Sequence, residues 1–295
     1  MRLAQFKKTY EAVQKLNAEQ TTSVHAVNKF SDLTSEEMDK FYTGLMPEKN
    51  SNPINDTEFA EDIEDNAILS KFPTALDWRS NGHVGPVKDQ GQCGSCWTFT
   101  VVGAVESADS IAGWDLKNFS EQQLLDCNVE DQSGCRGGYQ HLGFEYVIDH
   151  QLKTTDEYPY MQEQQDCPFP DVGLIGESHL ESYKRLYPFR ITNLLGILEG
   201  PTSVAVSAGN VPFTTYKSGV LTNTACSDSI LNHGLVAVGF GHDGDHFYII
   251  AKNSWSADWG EGGYIRLGIS GRYGVCNWSQ QSYGVSSESV SSSLF

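Results

Sequence analysis

Apolar positions in the first part of the chain fall at helical intervals. Leu3, Phe6, Tyr10, Val13 and Leu16 recur at steps of three and four, with Asn17 near the end of the run, so residues 1–45 read as a helical region. Within it, Ser31-Asp32-Leu33-Thr34-Ser35-Glu36-Glu37 predicts a second helix start, with Thr34 as the cap and Glu37 completing a capping box. The periodicity is lost over residues 47–71, which are acidic, rich in Asn and Asp, and carry Pro47 and Pro53. This stretch predicts an extended linker. A compact body starts near Phe72-Pro73. There the spacing predicts a helix from Cys96 to about Ile111, stopped by Gly113, and a short capped helix at Ser120-Glu121-Gln122-Gln123-Leu124-Leu125. After about residue 200 the texture changes. Val204-Ala205-Val206, Leu235-Val236-Ala237-Val238, Phe247-Tyr248-Ile249-Ile250 and Tyr264-Ile265-Arg266-Leu267 read as strands separated by Gly-rich turns. The body is therefore expected to be α+β, helical first and β-rich second. Residues 286–295 are Ser-rich and expected to be mobile.

Composition sharpens this outline. The chain has 295 residues, 39% of them hydrophobic and 20% charged, enough for one large domain or for two lobes with separate cores. A formal charge of −18 repels phosphate backbones and argues against nucleic acid as a partner. The same charge suits an acidic compartment and equally serves plain solubility. No apolar run reaches membrane-spanning length, which argues against a membrane partner, and Met1-Arg2-Leu3-Ala4-Gln5-Phe6-Lys7-Lys8 lacks the apolar centre of a signal peptide. Seven cysteines allow three pairs and one free thiol, which implies an oxidising route, in conflict with the missing leader. Asn55, Asn118 and Asn277 lie in glycosylation tripeptides that also arise by chance.

The chemistry concentrates in Gln90-Gly91-Gln92-Cys93-Gly94-Ser95-Cys96-Trp97. Cys96 opens the predicted helix, where unpaired N–H groups and the macrodipole favour a thiolate. A histidine beside it would lower the thiol pKa further, to about 3–4 in such sites. His233, in Leu231-Asn232-His233-Gly234, precedes one apolar strand, and Asn253, in Lys252-Asn253-Ser254-Trp255, follows another. Asn253 could accept the imidazole N–H and orient the base, with Trp255 shielding that bond from water. The Gln90 side-chain amide could join the Cys96 backbone N–H in stabilising an oxyanion. Two other readings of Cys-x-x-Cys lack their context: no βαβ unit supports a redox site, and no second ligand pair supports zinc, so no metal or cofactor is expected. Gly239-Phe240-Gly241-His242-Asp243-Gly244 matches a dinucleotide fingerprint, but a strand follows it rather than a helix. Asp243-Gly244 instead predicts a hairpin turn.

With these motifs in place the sequence resembles the papain family of cysteine proteases, and within it the cathepsin L-like branch. Besides the stretch around Cys96, the likeness is carried by Gly134-Cys135-Arg136-Gly137-Gly138, Asn232-His233-Gly234 and Asn253-Ser254-Trp255, in family order. The resemblance implies a helical lobe and a β-barrel-like lobe with the cleft between them, over residues 72–285. It implies an inhibitory propeptide over residues 1–71: Arg2, Phe6, Val13 and Asn17 match one family motif, with Thr9 where Asn is usual. Ala26, Asn28, Phe30 and Asp32 match a second, with Ala26 replacing Gly. The first motif's opening Glu and the preceding helix would lie before Met1, as would a leader, which resolves the signal-peptide conflict. The implied disulfides are Cys93–Cys135, Cys127–Cys167 and Cys226–Cys276, leaving Cys96 free. The implied substrate-binding residues are Gly94, Gly138, Tyr139, Ala205, Leu231, Asn232, Gly234 and Trp255, with Gln280 or Gln281 at the base of the pocket for the second residue before the scissile bond. Mostly apolar walls there favour Leu, Val or Phe over Arg. Protein and peptide substrates, the chain's own propeptide and cystatin-like inhibitors are the expected partners of a monomeric enzyme that is lysosomal, vacuolar or secreted. An inactive homologue acting as a binding protein and an acyl-transferring enzyme of transglutaminase type are the rival readings. The first would leave the four chemical positions without a use, and the second prefers Asp as its third residue.

Overall fold

The computed structural model describes residues 2–48, 73–130, 132–169, 176–222, 226 and 230–290. Most of the acidic linker therefore lies outside the described residues, as do its expected cleavage region between about Asp65 and Phe72 and the tripeptide at Asn55. The elements in chain order are α1 (Arg2–Glu19), β1 (Ser23–His25), α2 (Ser35–Phe41), β2 (Leu76–Asp77), α3 (Cys96–Ile111), α4 (Glu121–Cys127), α5 (Gln140–His150), β3 (Leu180–Arg185), α6 (Arg190–Glu199), β4 (Thr202–Val206), α7 (Val211–Thr214), β5 (Tyr216–Leu221), β6 (His233–Asp243), β7 (His246–Lys252), β8 (Tyr264–Gly268) and β9 (Ser282–Ser287). The predicted caps are present. The Thr34 hydroxyl accepts from the Glu37 amide while the Glu37 carboxylate accepts from the Thr34 amide, and Ser120 accepts from the Gln123 amide. The Asp243-Gly244 turn joins β6 to β7, with Gly244 at φ +56°.

Among the described residues the strands form one sheet in the order β1-β5-β8-β7-β6-β4-β9-β3, with β2 paired to β6. Only β5 and β8 run parallel within that path. Two buried clusters flank the cleft. One gathers Trp255, Trp259 and Trp278 with the strand residues Leu235, Ile249 and Ile265. The other gathers Trp97, Val101 and Val105 of α3 with Leu124 and Phe144. These are the two lobes that the resemblance implies. The disulfides are Cys93–Cys135, Cys127–Cys167 and Cys226–Cys276, with Cys96 free. Their sequence separations of 42, 40 and 50 give each loop closure about 4 kcal/mol in the chain-entropy treatment.

Three expectations are corrected. The N-terminal region is not all helix, because Ser23–His25 pairs with β5. The halves are less cleanly divided than their texture implies, since the strand β3 lies before residue 200 and the short helix α7 lies among the strands after it. Within the stretch from Ser286, the described residues 286–290 are tied to the body by hydrogen bonds. Ser286 and Ser287 pair with β3, the Glu288 amide donates to His179 O, the Val290 amide donates to Ala112 O, and the Trp114 indole donates to Glu288 O. Backbone pairing and one indole anchor thus hold a segment whose single apolar side chain is Val290.

The N-terminal segment is fastened to both clusters. Phe30 and Met38 enter the strand-side cluster and Leu45 enters the helical one. Phe30 packs on Trp255 at 4.9 Å between ring centroids, and Asn28 Nδ2 donates to Thr214 O. Of the α1 stripe, Val13 is buried, whereas Leu3, Phe6 and Tyr10 stay exposed.

Candidate active site

Cys96 is the first residue of α3, and its side chain is fully buried. The backbone amides of Gly234, Leu45, Trp97 and Cys96 itself face the sulfur. His233 starts β6 and Asn253 follows the end of β7. The pairing of those strands brings the two together, so that His233 Nε2 lies 2.7 Å from Asn253 Oδ1. Because the Asn oxygen can only accept, Nε2 carries the proton. His233 Nδ1 is buried and without a hydrogen-bond partner among the described residues, as is Asn253 Nδ2. Trp255 lies against the imidazole at 4.6 Å between centroids and is itself fully buried. Gln90 is fixed at both ends: its Oε1 accepts from Ser254 Oγ at 2.7 Å and its Nε2 donates to Cys93 O at 2.9 Å. A primary amide has two N–H donors, so one is left for another acceptor beside the Cys96 helix terminus.

Residues 42–48 of the N-terminal segment lie over this constellation. The Gly44 and Leu45 amides both donate to Asn232 O at 2.9 Å, the Met46 amide donates to Gly138 O, and the Gly138 amide donates to Gly44 O, each also at 2.9 Å. Leu45 and Gly138 form a parallel bridge. Two glycines make this approach feasible. Gly44 has φ +143°, and a Cβ there would press on the Gly94 backbone. A Cβ at Gly137, φ +124°, would meet Gly44 O at 2.6 Å. The Trp255 indole donates to Tyr42 O, and Asn232 Nδ2 donates to Asp39.

Covering the cleft sets the electrostatics. Burial pushes the Cys96 thiol up to about 12, although the four amides pull the other way. Burial pushes the His233 imidazole down to about 4, with the Asn253 hydrogen bond opposing. Both shifts favour the neutral forms while the cleft is covered. The physical reason is the segment above them, which removes the water that would solvate either charge.

Leu45 is buried in the cluster that contains Tyr283 and two residues expected to wall the pocket, Ala205 and Leu231. Gly234 pairs with Ala205 across β4 and β6. Gln281 is buried and Gln280 exposed. Sequence reasoning missed Gln140, whose Oε1 accepts from Gln281 Nε2 and whose Nε2 donates to Ser203 Oγ. It lies next to Tyr139, and that adjacency was the only signal in the chain. Farther in, Lys88 bonds Glu106 at 2.7 Å and Glu121 at 2.6 Å, a charge cluster that no local pattern announces. Among the described residues no group of His, Cys, Asp or Glu converges to hold a metal ion, and no helix is long and apolar enough to cross a membrane.

The model of the papain family cysteine protease matches residues 72–286. Chymopapain from Carica papaya is 39% identical over 251 residues, covering 82% of this chain and 67% of its own. The structure of a recombinant stem bromelain precursor superposes with a TM-score of 0.82 at 32% identity, covering 98% of this chain and 91% of that one. Digestive procathepsin L2 proteinase from Tenebrio molitor larval midgut gives 0.79 at 30% identity, covering 97% and 92%. The chain belongs to the papain family of cysteine proteases.

Proposed function

We propose that this chain is the precursor of an endopeptidase in which Cys96 is the nucleophile and His233 its acid–base partner. The observation that carries the reading is the buried His233–Asn253 hydrogen bond, which leaves Nδ1 as the free face of the ring, set together with Cys96 at the start of α3. Residues 1–71 act as the intramolecular inhibitor, and cleavage between about Asp65 and Phe72 releases it. Once the cleft opens to water, the thiol proton passes to Nδ1. The thiolate attacks the scissile carbonyl carbon, and the oxyanion is received by the Cys96 amide and the free Gln90 N–H. His233 then gives the proton to the departing amine. Water, deprotonated by the same ring, hydrolyses the thioester and restores the thiol. Asn253 keeps the ring oriented, and Trp255 screens their bond from solvent. Gly94, Gly138 and Asn232 hold the substrate backbone, the last two as they bond residues 44–46. Tyr139, Ala205, Leu231 and Gly234 wall the pocket for the second residue before the scissile bond, with Gln281 at its base, and favour Leu, Val or Phe there over Arg. The buried position of Leu45 supports this preference.

The test is acid incubation of the purified chain, N-terminal sequencing of the product, and assay of peptide cleavage beside amine incorporation. A product starting near residue 72 that cleaves peptides, with Cys96→Ala inert, is the expected outcome. Amine incorporation without hydrolysis, or full activity in a Cys96→Ala preparation free of other proteases, would sink the proposal.

A further inference from the structure

Beyond the apolar pocket, the covered cleft holds a carboxylate in a site made by three elements of the body. The occupant is Glu48 of the N-terminal segment. Its Oε2 lies 2.5 Å from Arg185 Nη1, its Oε1 accepts from the Tyr283 hydroxyl, and His141 Nδ1 stands 3.3 Å from that same Oε1. Its backbone amide donates to Gln281 Oε1 at 3.2 Å, so the residue sits at the edge of the expected second-residue pocket. The groups around the carboxylate are rigidly placed. Arg185 and Tyr283 are direct partners across β3 and β9, and His141 lies in the first turn of α5. The other charges on this surface have partners of their own: Glu145 accepts from Tyr183, and Lys184 bonds Glu199 at 2.6 Å. Among the described residues Arg185 has no carboxylate partner except Glu48.

When the segment leaves, Arg185 and the Tyr283 hydroxyl lose the acceptor they were built around. We infer that the mature cleft carries an anion-binding subsite of Arg185, Tyr283 and His141, which takes a Glu or Asp side chain at the second or third residue before the scissile bond. The inference rests on the proteolytic reading above and deepens it. A guanidinium and a phenol converging on one carboxylate form charge-assisted bonds, and an amide of the same shape satisfies them less well. The site also gives an enzyme whose whole precursor carries a net charge of −18 a local means of holding an acidic segment that the general field repels.

The experiment uses the mature enzyme and peptides that differ only in Glu, Gln or Leu at each of the two positions, assayed at pH 6, where Glu is ionised. At one of the positions Glu is expected to exceed Gln by about tenfold in kcat/KM. Arg185→Gln should remove that excess and change the Leu substrates less than twofold, and Arg185→Lys should restore part of it. Glu no better than Gln at both positions, or an equal loss on all substrates in Arg185→Gln, would overturn the subsite. A wild-type enzyme that cleaves none of the peptides would overturn the proteolytic reading, and the subsite with it.

Discussion

Gly44→Ala should open the cleft without touching any reacting group. Gly44 has φ +143°, and a Cβ placed there would lie 2.8 Å from Gly94 Cα and closer still to the Gly94 carbonyl. The obstacle is backbone, so no side chain can swing aside. The variant has two responses, and the less costly one sets the effect. Staying in place costs about 1–3 kcal/mol for the dihedral alone, plus the overlap. Withdrawing gives up the four backbone hydrogen bonds of Gly44, Leu45, Met46 and Gly138, at about 1 kcal/mol each, and the burial of Leu45, at about 2 kcal/mol. The closed form should therefore weaken by about 3–4 kcal/mol, which raises the open fraction by about 10²–10³. The assay is the rate at which a small alkylating reagent labels Cys96 in the intact chain at pH 7.5. Gly82→Ala, also at positive φ but facing open space, is the control. An unchanged labelling rate in Gly44→Ala, with the control behaving as wild type, would refute the claim that residues 44–46 close the site.

Acid should open the same cleft. A histidine whose pKa is lowered by burial stabilises the closed form fully above its ordinary value of 6.5, and that stability is lost as pH falls through about 4. At about 1.4 kcal/mol per unit this amounts to about 3 kcal/mol. In a Cys96→Ala chain, hydrogen-exchange protection of the Gly44 to Met46 amides, corrected for intrinsic rate, should collapse over that interval; protection unchanged at pH 4 would contradict the linkage. Asp39 does not drive this opening, because burial raises its pKa and its protonated form is the one the closed state favours. Lys88→Met should strand the buried carboxylates of Glu106 and Glu121 and cost about 3–5 kcal/mol in urea unfolding. A loss below 1 kcal/mol would show that the cluster is not needed. Asn253→Ala should keep partial peptidase activity, since Asn253 orients the ring and does not react; activity as low as in His233→Ala would give it a larger part.

What could be read in advance follows from how local each signal is. Gln90 to Trp97 is one contiguous stretch, and the helix that Cys96 opens is written in its own periodicity. Thr34 and Glu37, and Asp243 with Gly244, likewise declare a cap and a turn within a few residues. His233 and Asn253 were found by their neighbours, although only the β6–β7 pairing brings them together. The strand Leu180–Arg185 was missed because Glu181, Ser182, Lys184 and Arg185 give it almost no apolar alternation; its partner β9 supplies the reason it is a strand. Gln140 and Ser203 meet across separate elements, and no spacing in the chain links them. The direction of the Cys96 and His233 shifts was hidden for another reason. It depends on what covers the two side chains, and burial by a distant segment leaves no mark in the residues beside them.

The central claim is that Cys96, activated by His233, is the nucleophile once the N-terminal segment is displaced. The most direct measurement is stoichiometric labelling of the acid-matured enzyme with an epoxysuccinyl inhibitor, read by peptide mass mapping beside residual activity. The account predicts one inhibitor per chain on the peptide containing Cys96, activity lost in proportion to labelling, and labelling slowed at least a hundredfold in His233→Ala. Undiminished peptidase activity with Cys96 fully modified would contradict it.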